Sequence, residues 1–320
     1  MNKIKYIFFS TEAEYVKFCL SEIIHDESVI YNRETFLKKG IRRLSSMILK
    51  KNSSIKSFLY LLWFRKKWVK SNEIPLFFFY EFNRMSCDKG FLEYLKKKYP
   101  LSKFVYNFTN ATSNSKSNGL EFILKNPLLY DLVLTYCEDD VKKYGFTFYQ
   151  WAYSPINRKK TERKDDLYFV GIDKGRGELV REIAQMCKQN NIKYNFNIFG
   201  NQTSHLDEEL GINTRIKKIS YHDNINNILN SKCVLELVPN GVLSCTLRTA
   251  EIIATGTKLL TNNTALKNDV VFNAAQMQVF SSLEDIDIEF IRSEFNAEFF
   301  NDKDILSPKY LLQFLKEKLF

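Results

Sequence analysis

The sequence predicts an α/β protein built from two Rossmann-like, doubly wound domains that face each other across a cleft. Short runs rich in β-branched and aromatic residues alternate with helical patterns along the chain, which is typical of parallel α/β layers. Several of these runs are apolar on both faces, as strands covered by helices on each side must be. A polar interval near the middle divides the 320 residues into halves that can each bury a core.

The first half, residues 1–153, is predicted to form one domain with a central parallel sheet. We expect its strands at Ile4–Phe9, Ile74–Tyr80, Lys103–Phe108 and Asp131–Tyr136. We expect its helices at Glu12–Ile24, Thr35–Lys50, Ile55–Lys70 and Asp88–Lys98. The alternation of the two element types places helices on both faces of the sheet.

A basic segment, Lys38–Lys70, carries the whole excess of positive charge. The chain has 47 Lys and Arg against 37 Asp and Glu, and this segment holds eleven of the cations and no acid. Apolar residues interleave with these charges, so we expect an inserted pair of basic amphipathic helices that favours an anionic membrane surface. The alternative is a solvated basic face on ordinary core helices. A nucleic-acid partner is not expected, because no recognised binding motif accompanies the charges.

Residues 154–166 are polar and charged, include Pro155 and lack periodic apolar positions, which predicts a linker. The second domain is expected at residues 167–306. Its predicted strands are Leu167–Val170, Lys193–Phe199, Arg215–Ile219, Cys233–Val238, Lys258–Thr261 and Gln278–Ser281. Its predicted helices are Gly177–Gln189, Asp223–Leu229 and Leu247–Ala254. Within residues 307–320, a last amphipathic helix, Pro308–Leu319, is expected to pack back towards the first domain.

The cysteines and the apolar runs indicate the cellular compartment of the protein. The six cysteines show no spacing typical of zinc or redox sites and are interpreted as reduced thiols. The apolar stretch Tyr6–Phe9 is too short for a signal-peptide core, and no run approaches the roughly 20 residues that span a bilayer. We therefore expect a cytoplasmic protein, bound peripherally to the membrane through its basic segment.

The turn after the strand Leu167–Val170 places three glycines and two cations where a strand passes into a helix. Gly171 opens this turn, and Lys174 and Arg176 supply the charges. Backbone amides in such a turn can approach a phosphate closely, and the helix N-terminus favours the anion. The spacing matches neither the dinucleotide fingerprint nor the Walker motif. A tight turn with surface charges is the alternative.

A second group of candidate residues follows the strand Cys233–Val238. A small polar loop leads into a helix whose first turns carry Thr246, Arg248 and Glu251. Ligands of open α/β sheets bind at the carboxyl ends of the strands, where this loop must lie. Arg248 can bind a diphosphate bidentately, and Glu251 can accept hydrogen bonds from ribose hydroxyls. The alternative is a surface i, i+3 ion pair between the two side chains.

The stretch VLELVPNGVLSCTLRTAEIIATGTKLLTNN, followed by VFNAAQMQVFSSLEDI, resembles the donor-binding half of GT-B-fold glycosyltransferases. The resemblance is strongest to transferases of bacterial lipopolysaccharide and capsular polysaccharide biosynthesis. In that family a loop, a helix bearing Arg or Lys and a Glu, and a small-Gly-x-Lys turn into a strand ending in Thr-Asn recur in this order. The segments YFVGIDKGR, YHDNINNILNSKCVLEL and DLVLTYCEDDVKKYGFTFYQWAYSP are similar too. Together they cover roughly residues 131–288.

The resemblance implies a hexosyl- or deoxyhexosyltransferase that moves a sugar from a nucleotide-diphosphate sugar to a lipid-linked or polysaccharide acceptor. It implies that Lys174, Arg176 and Arg248 hold the diphosphate, that Glu251 meets the ribose and that Tyr221 lies near the base. The complete donor-binding set is Gly171, Lys174, Arg176, Tyr221, Thr246, Arg248 and Glu251. Neither a metal nor a cofactor is expected, because cationic side chains and helix dipoles neutralise the leaving diphosphate. The loop VPNGVLS lacks the acid of the Pro-x-x-Glu loop that many members carry.

The transferase interpretation also needs a base for the acceptor hydroxyl. Glu81, at the end of the strand IPLFFFYE, is the best-placed acid, ahead of Asp88 and His25. Its alternative role is a carboxylate at the start of a loop or helix. The Asp285-Ile286-Asp287 triplet resembles a metal-binding Asp-x-Asp motif, but it opens a terminal helix, where acids are favoured by the dipole.

Two further functions stay open at this point. One is a non-catalytic module that binds nucleotides or sugars at the membrane surface. The other is a GT-B-like transferase of a non-sugar group, such as a pyruvyl transferase. Hydrolase and oxidoreductase functions are not expected, because the nucleophile-elbow and dinucleotide motifs are missing from the sequence.

Overall fold

The computed structural model describes residues 3–10, 13–32, 69–83, 85–113, 115, 118–156, 162–200, 204–214, 219–238, 245–294 and 306–320. The chain forms two compact units: residues 1–150 together with 308–320, called unit 1, and residues 151–307, called unit 2. The basic segment Lys38–Lys70 lies outside the described residues except for its last two positions. The same holds for most of the predicted strand Arg215–Ile219, of which only Ile219 is described.

Unit 1 contains a parallel sheet with the strand order β2-β1-β3-β4-β5-β6. Its strands are β1 (Lys3–Phe9), β2 (Val29–Asn32), β3 (Glu73–Tyr80), β4 (Lys103–Asn107), β5 (Leu132–Thr135) and β6 (Thr147–Phe148). Its helices are α1 (Glu14–Cys19), α2 (Lys89–Lys98), α3 (Gly119–Lys125), α4 (Glu138–Tyr144) and, at the other end of the chain, α10 (Pro308–Leu319).

The core of unit 1 is aromatic, because its central strands are apolar on both faces. In β3, every residue from Pro75 to Tyr80 is buried. The Phe79 ring stacks on Phe9 of β1 with centroids 4.6 Å apart, and Phe91 of α2 meets Phe9 edge-on at 5.8 Å. Fully burying one such ring stabilises the fold by about 1.5–3 kcal/mol.

The last helix, α10, packs on unit 1. The Tyr6 hydroxyl of β1 donates to the carbonyl oxygen of Leu312 at 3.0 Å. The Phe314 ring lies 4.8 Å from that of Tyr149. These contacts join the end of the chain to its first strand.

Unit 2 contains a second parallel sheet, with the order β11-β10-β9-β7-β8. Its strands are β7 (Asp165–Ile172), β8 (Tyr194–Phe199), β9 (Ser231–Glu236), β10 (Lys258–Thr261) and β11 (Met277–Val279). Its helices are α5 (Gly177–Gln189), α6 (His205–Leu210), α7 (Tyr221–Leu229), α8 (Leu247–Thr255) and α9 (Ile288–Arg292). The prediction of an α/β protein with two parallel sheets is confirmed.

The described strands of the two units follow the same plan. In unit 1 the chain passes from β1 to β2 on one side and then to β3 on the other side. In unit 2 it passes from β7 to β8 and then to β9 in the same way. A crevice forms at the carboxyl ends of the strands where the crossover direction reverses, and it is the usual ligand site of open α/β sheets. The topology therefore places one such crevice, called the switch crevice, in each unit. It lies between β1 and β3 in unit 1 and between β7 and β9 in unit 2.

The segment predicted as a linker, residues 154–166, is attached to unit 2 at both of its described ends. The main-chain nitrogen of Ile156 donates to Ala254 at 2.9 Å. The Arg163 guanidinium donates to the carbonyl oxygens of Lys232 and Gly256 at 3.1 and 3.4 Å. Strand β7 begins at Asp165, so the last two residues of the predicted linker belong to the sheet.

Candidate functional site

The turn between β7 and α5 has an unusual backbone. Lys174 and Gly175 both adopt the left-handed conformation, with φ of 46° and 83°. Glycine adopts it without steric cost, whereas a lysine there requires support from its surroundings. The Asp173 carboxylate supplies part of this support, because it accepts a hydrogen bond from the Gly177 main-chain nitrogen at 2.8 Å. The turn thereby places Lys174, whose side chain is exposed, at the carboxyl edge of the sheet.

Arg176 folds back over this turn and bridges the switch crevice of unit 2. Its guanidinium donates to the carbonyl oxygens of Ile172 and Leu237, and its Nε donates to that of Asp173 at 3.2 Å. Leu237 directly follows β9, so the side chain ties β7 to β9. Burial lowers the pKa of Arg176, but the group remains charged at neutral pH. Its contact with a diphosphate stays a prediction, and the structure shows it bound to main-chain carbonyls.

Gly171 is required by this arrangement. A Cβ atom at this position would lie 3.1 Å from Nη2 of Arg176 and 3.1 Å from Cζ of Phe169. We expect Gly171→Ala to lower the free energy of unfolding by about 1–2 kcal/mol through overpacking, as measured by urea denaturation. The glycine change should cost less in an Arg176→Lys background, where the guanidinium is removed. An equal cost in both backgrounds would contradict the contact with Arg176.

The N-terminus of α8 lies on the other side of the crevice and is capped by Thr246. The Thr246 Oγ1 accepts hydrogen bonds from the main-chain nitrogens of Arg248 at 3.0 Å and Thr249 at 3.3 Å. Residues 239–244, which connect β9 to this helix, lie outside the described part of the chain. A helix N-terminus at a switch crevice favours an anionic group.

Glu236, the last residue of β9, was not among the residues selected from the sequence. It is buried, with 6% of its surface exposed. Its carboxylate accepts hydrogen bonds from Oγ1 of Thr246 and, at 2.7 Å, from Oγ1 of Thr261 at the end of β10. Burial raises the pKa of Glu236, and the two hydroxyl donors and the charge of Arg248 oppose this shift. Glu236 could have been selected from the sequence because it is a single acid within the apolar run VLELV.

Arg248 and Glu251 form an ion pair with an Nη1–Oε2 distance of 2.6 Å. The i, i+3 ion pair that the sequence offered as the alternative is therefore present, but its two side chains do not lie at the surface. The side chains are only 17% and 3% exposed. Burial acts to lower the pKa of Arg248, but Glu251, Tyr168, Tyr221 and Glu236 together outweigh it and the pKa is raised. Burial raises the pKa of Glu251, and the cation opposes that shift.

A polar network holds this ion pair in place. Asn224 Oδ1, on α7, accepts hydrogen bonds from Arg248 at 3.2 Å and from the Tyr168 hydroxyl at 3.4 Å. Tyr221 hydrogen-bonds to Glu251 and lies 2.8 Å from the hydroxyl of Tyr153. The network brings Tyr221, Arg248 and Glu251 together, as the donor-site prediction requires. The contacts of these residues with a base, a diphosphate and a ribose stay predictions.

The switch crevice of unit 1 has its own bridge. Asn83, which follows β3, donates from its side-chain amide to the carbonyl oxygen of Ser10 after β1, at 2.7 Å. This contact joins the two strands that flank the crevice. In each unit a hydrogen bond from a side chain to a main-chain carbonyl thus joins the two strands that flank the switch crevice.

Glu81, the predicted base, is buried beside this crevice and organises the loop that follows β4. Its carboxylate accepts five hydrogen bonds, from the main chain and side chain of both Thr109 and Asn110 and from the Ser115 hydroxyl. A second buried carboxylate, Asp140 on α4, accepts from the same loop at Thr112. Because protein donors occupy Glu81, the structure shows a positioning role, and its role as base stays a prediction.

The other acids considered from the sequence act as helix caps. Asp88 accepts a hydrogen bond from the main-chain nitrogen of Phe91 at 3.1 Å and caps α2. Asp287 caps α9 through Glu289 at 2.9 Å, and Asp285 accepts from two main-chain nitrogens. In the part of the chain that is described, no group of three or more His, Cys, Asp or Glu side chains could hold a metal ion. No described helix is both long and apolar enough to cross a bilayer.

Comparison with known proteins gives only distant similarities. No protein-family model matches the chain, and no curated protein matches it. One similar solved structure is the DNA-modifying enzyme beta-glucosyltransferase, determined with and without its substrate uridine diphosphoglucose. It shares 12% identity over 98% of this chain and 94% of that chain, with a TM-score of 0.39. Another is apo D-lactate dehydrogenase from Escherichia coli, with 11% identity over 98% and 97% and a TM-score of 0.23. Neither similarity is close enough to assign a function.

Proposed function

We propose that this chain is a GT-B-type glycosyltransferase that uses a nucleotide-diphosphate sugar as donor. The observation that carries the proposal is the convergence at the unit 2 switch crevice of the Lys174 turn, the N-terminus of α8 and Arg248. Ligands of open α/β sheets bind at such crevices. Main-chain amides, a helix dipole and guanidinium groups together favour a phosphate.

In this proposal the cationic groups stabilise the leaving diphosphate. Arg248 is held by Asn224 and Glu251, so its guanidinium is positioned before the donor binds, and the exposed Lys174 is accessible to the phosphates. Preorganised charge of this kind stabilises a developing anion without further reorganisation. Gly171 allows the turn to approach the phosphates, and Glu251 and Tyr221 meet the ribose and the base. The sugar is a hexose or deoxyhexose.

The acceptor in this proposal is a lipid-linked or polysaccharide chain of bacterial surface polysaccharide synthesis. Unit 1 supplies the acceptor side, with Glu81 as the base. The basic segment Lys38–Lys70 brings the enzyme to the anionic inner face of the cytoplasmic membrane, because its eleven cations are attracted to anionic lipids. The support is the charge pattern of the segment and the resemblance described above.

The donor site is tested by thermal denaturation of the full chain with UDP-, GDP- and dTDP-sugars. A donor at one hundred times its dissociation constant adds about 2.7 kcal/mol of stability, which raises the melting temperature by roughly 5–11 °C for a domain of this size. We expect one nucleotide class to give this shift and Arg248→Ala to abolish it.

Arg181→Ala is the matched control. Arg181 pairs with the buried Asp207 at 2.8 Å, and its side chain is 22% exposed, against 17% for Arg248. It should lose stability but keep the ligand-induced shift. The proposal fails if no nucleotide stabilises the wild-type protein, or if both variants respond equally. Release of nucleotide diphosphate only when a saccharide acceptor is present separates a transferase from a binding module.

A further inference from the structure

Glu236 is a buried carboxylate directly beneath the first turn of α8. One of its oxygens accepts from Thr246 Oγ1, which in turn caps the helix 3.0 Å from the main-chain nitrogen of Arg248. The other accepts from Thr261 at 2.7 Å. Because both oxygens are bound and the residue is buried, this carboxylate cannot turn away from the helix N-terminus.

We propose that binding of the donor diphosphate at the first turn of α8 is coupled to the uptake of one proton by Glu236. This inference rests on the proposed function, because the diphosphate of the donor is its ligand. Two negative charges in one partly desolvated crevice repel each other, so a bound anion favours the neutral carboxylic acid. The proton comes from solvent, adds to a carboxylate oxygen and returns to solvent when the diphosphate leaves.

The charged and titratable groups described around Glu236 do not pair with it directly, so its carboxylate is the group that we expect to take up the proton. Arg248 and Glu251 act on it from α8, Arg176 from the turn after β7, and Cys245 from the entry to α8. Neither cation is dedicated to Glu236, because Arg248 pairs with Glu251 and Arg176 binds main-chain carbonyls. The loop of residues 239–244 has the sequence PNGVLS and adds no titratable side chain. Among the described residues, the direct hydrogen-bond partners of Glu236 are therefore two neutral hydroxyls.

The sign of the pH dependence follows from the coupling. The complex holds one proton more than the free protein, so the affinity for the donor falls as the pH rises. The fall begins near the pKa of Glu236 in the free protein and ends near the higher pKa of Glu236 in the complex. A difference of one pKa unit weakens binding about tenfold across this window. Burial places the window above the ordinary range of a glutamate.

The test is calorimetric titration of the full chain with UDP-glucose and with GDP-mannose between pH 5 and pH 9. Their phosphate diesters do not titrate in this range, and two buffers of different ionisation enthalpy report the proton uptake. We expect the wild-type affinity to fall about tenfold with rising pH. Glu236→Gln should take up no proton, show a flat pH profile and bind more tightly than the wild type at the alkaline end. Glu251→Gln, which changes the other buried carboxylate, should keep the slope whatever its affinity.

A second variant covers the case in which Glu236→Gln does not fold. Thr261→Val removes one hydrogen bond to the carboxylate at nearly constant volume, so it should move the midpoint of the pH profile upwards. Binding without proton uptake, or a slope that persists in Glu236→Gln, overturns the coupling and leaves the proposed function intact. If neither donor binds, the titration is repeated with the nucleotide-sugar that stabilises the chain on heating. If none of the UDP-, GDP- and dTDP-sugars stabilises it, both proposals fail.

Discussion

Replacing Glu81 with alanine is expected to lower the free energy of unfolding of unit 1 by about 3–5 kcal/mol. The variant removes the acceptor for five hydrogen bonds from Thr109, Asn110 and Ser115, of which Thr109 is buried and the other two are half-buried. Urea denaturation followed by circular dichroism measures the loss. Glu81→Gln should cost less, because its amide oxygen still accepts.

Asp140→Ala is the control for this effect. Asp140 is buried and accepts three hydrogen bonds, two from Thr112 and one from Thr135. Its loss should destabilise unit 1 by a smaller amount, since fewer donors are left unpaired. A cost below about 1 kcal/mol for Glu81→Ala would show that water replaces the carboxylate and that the loop is not held by it.

The conservative variants of the two acids test the role of Glu81 as base. Loss of a base reduces turnover by about 10²–10⁴-fold. We expect this reduction for Glu81→Gln and a much smaller one for Asp140→Asn. An equal reduction in both variants would mean that both acids only position the loop.

Replacing Arg248 with alanine is expected to lower the free energy of unfolding of unit 2 by about 2–4 kcal/mol at neutral pH. The change leaves the Glu251 carboxylate buried, with only hydrogen bonds from Tyr221 and Asn224. Without the cation, the pKa of Glu251 rises further above its value in the unfolded chain. Stability that is present at acidic pH is therefore lost as the pH rises through that higher pKa.

Adding Glu251→Gln to Arg248→Ala should restore most of the lost stability at neutral pH, because the unpaired buried charge is removed. The four proteins of this double-mutant cycle, compared by urea denaturation, should give a coupling of about 2 kcal/mol. Equal stabilities of Arg248→Ala and the double variant would mean that Glu251 takes up a proton at little cost.

The regular elements that could be predicted are those with a continuous apolar run. Strands β3 and β4 lie within one residue of the predicted ends, since each combines a run of buried aromatic side chains with a clear boundary. Strands β2 and β6 were not predicted, because they span only Val29–Asn32 and Thr147–Phe148 and carry polar residues. Helix α1 was predicted at Glu12–Ile24 but is helical only over Glu14–Cys19.

The candidate site was predictable in its position and not in its contacts. The alternation of strands and helices shows which residues follow the carboxyl ends of the strands. Arg176 and Arg248 could therefore be predicted to lie at that edge of the sheet. One acceptor of the Arg176 guanidinium is the carbonyl of Leu237, 61 positions away, and no local pattern shows it. Glu236 was missed for the same reason, since Thr246 and Thr261 reach it only in the folded chain.

The packing of α10 on β1 sets the order in which the two units become complete during translation. Unit 2 is one continuous stretch, 151–307, whereas unit 1 needs both 1–150 and 308–320. A ribosome that adds residues from the first to the last therefore finishes unit 2 before it has made the helix that contacts Tyr6 of β1. Strand β1 must therefore wait for α10, and the aromatic sheet of unit 1 stays incompletely covered in the nascent chain until then.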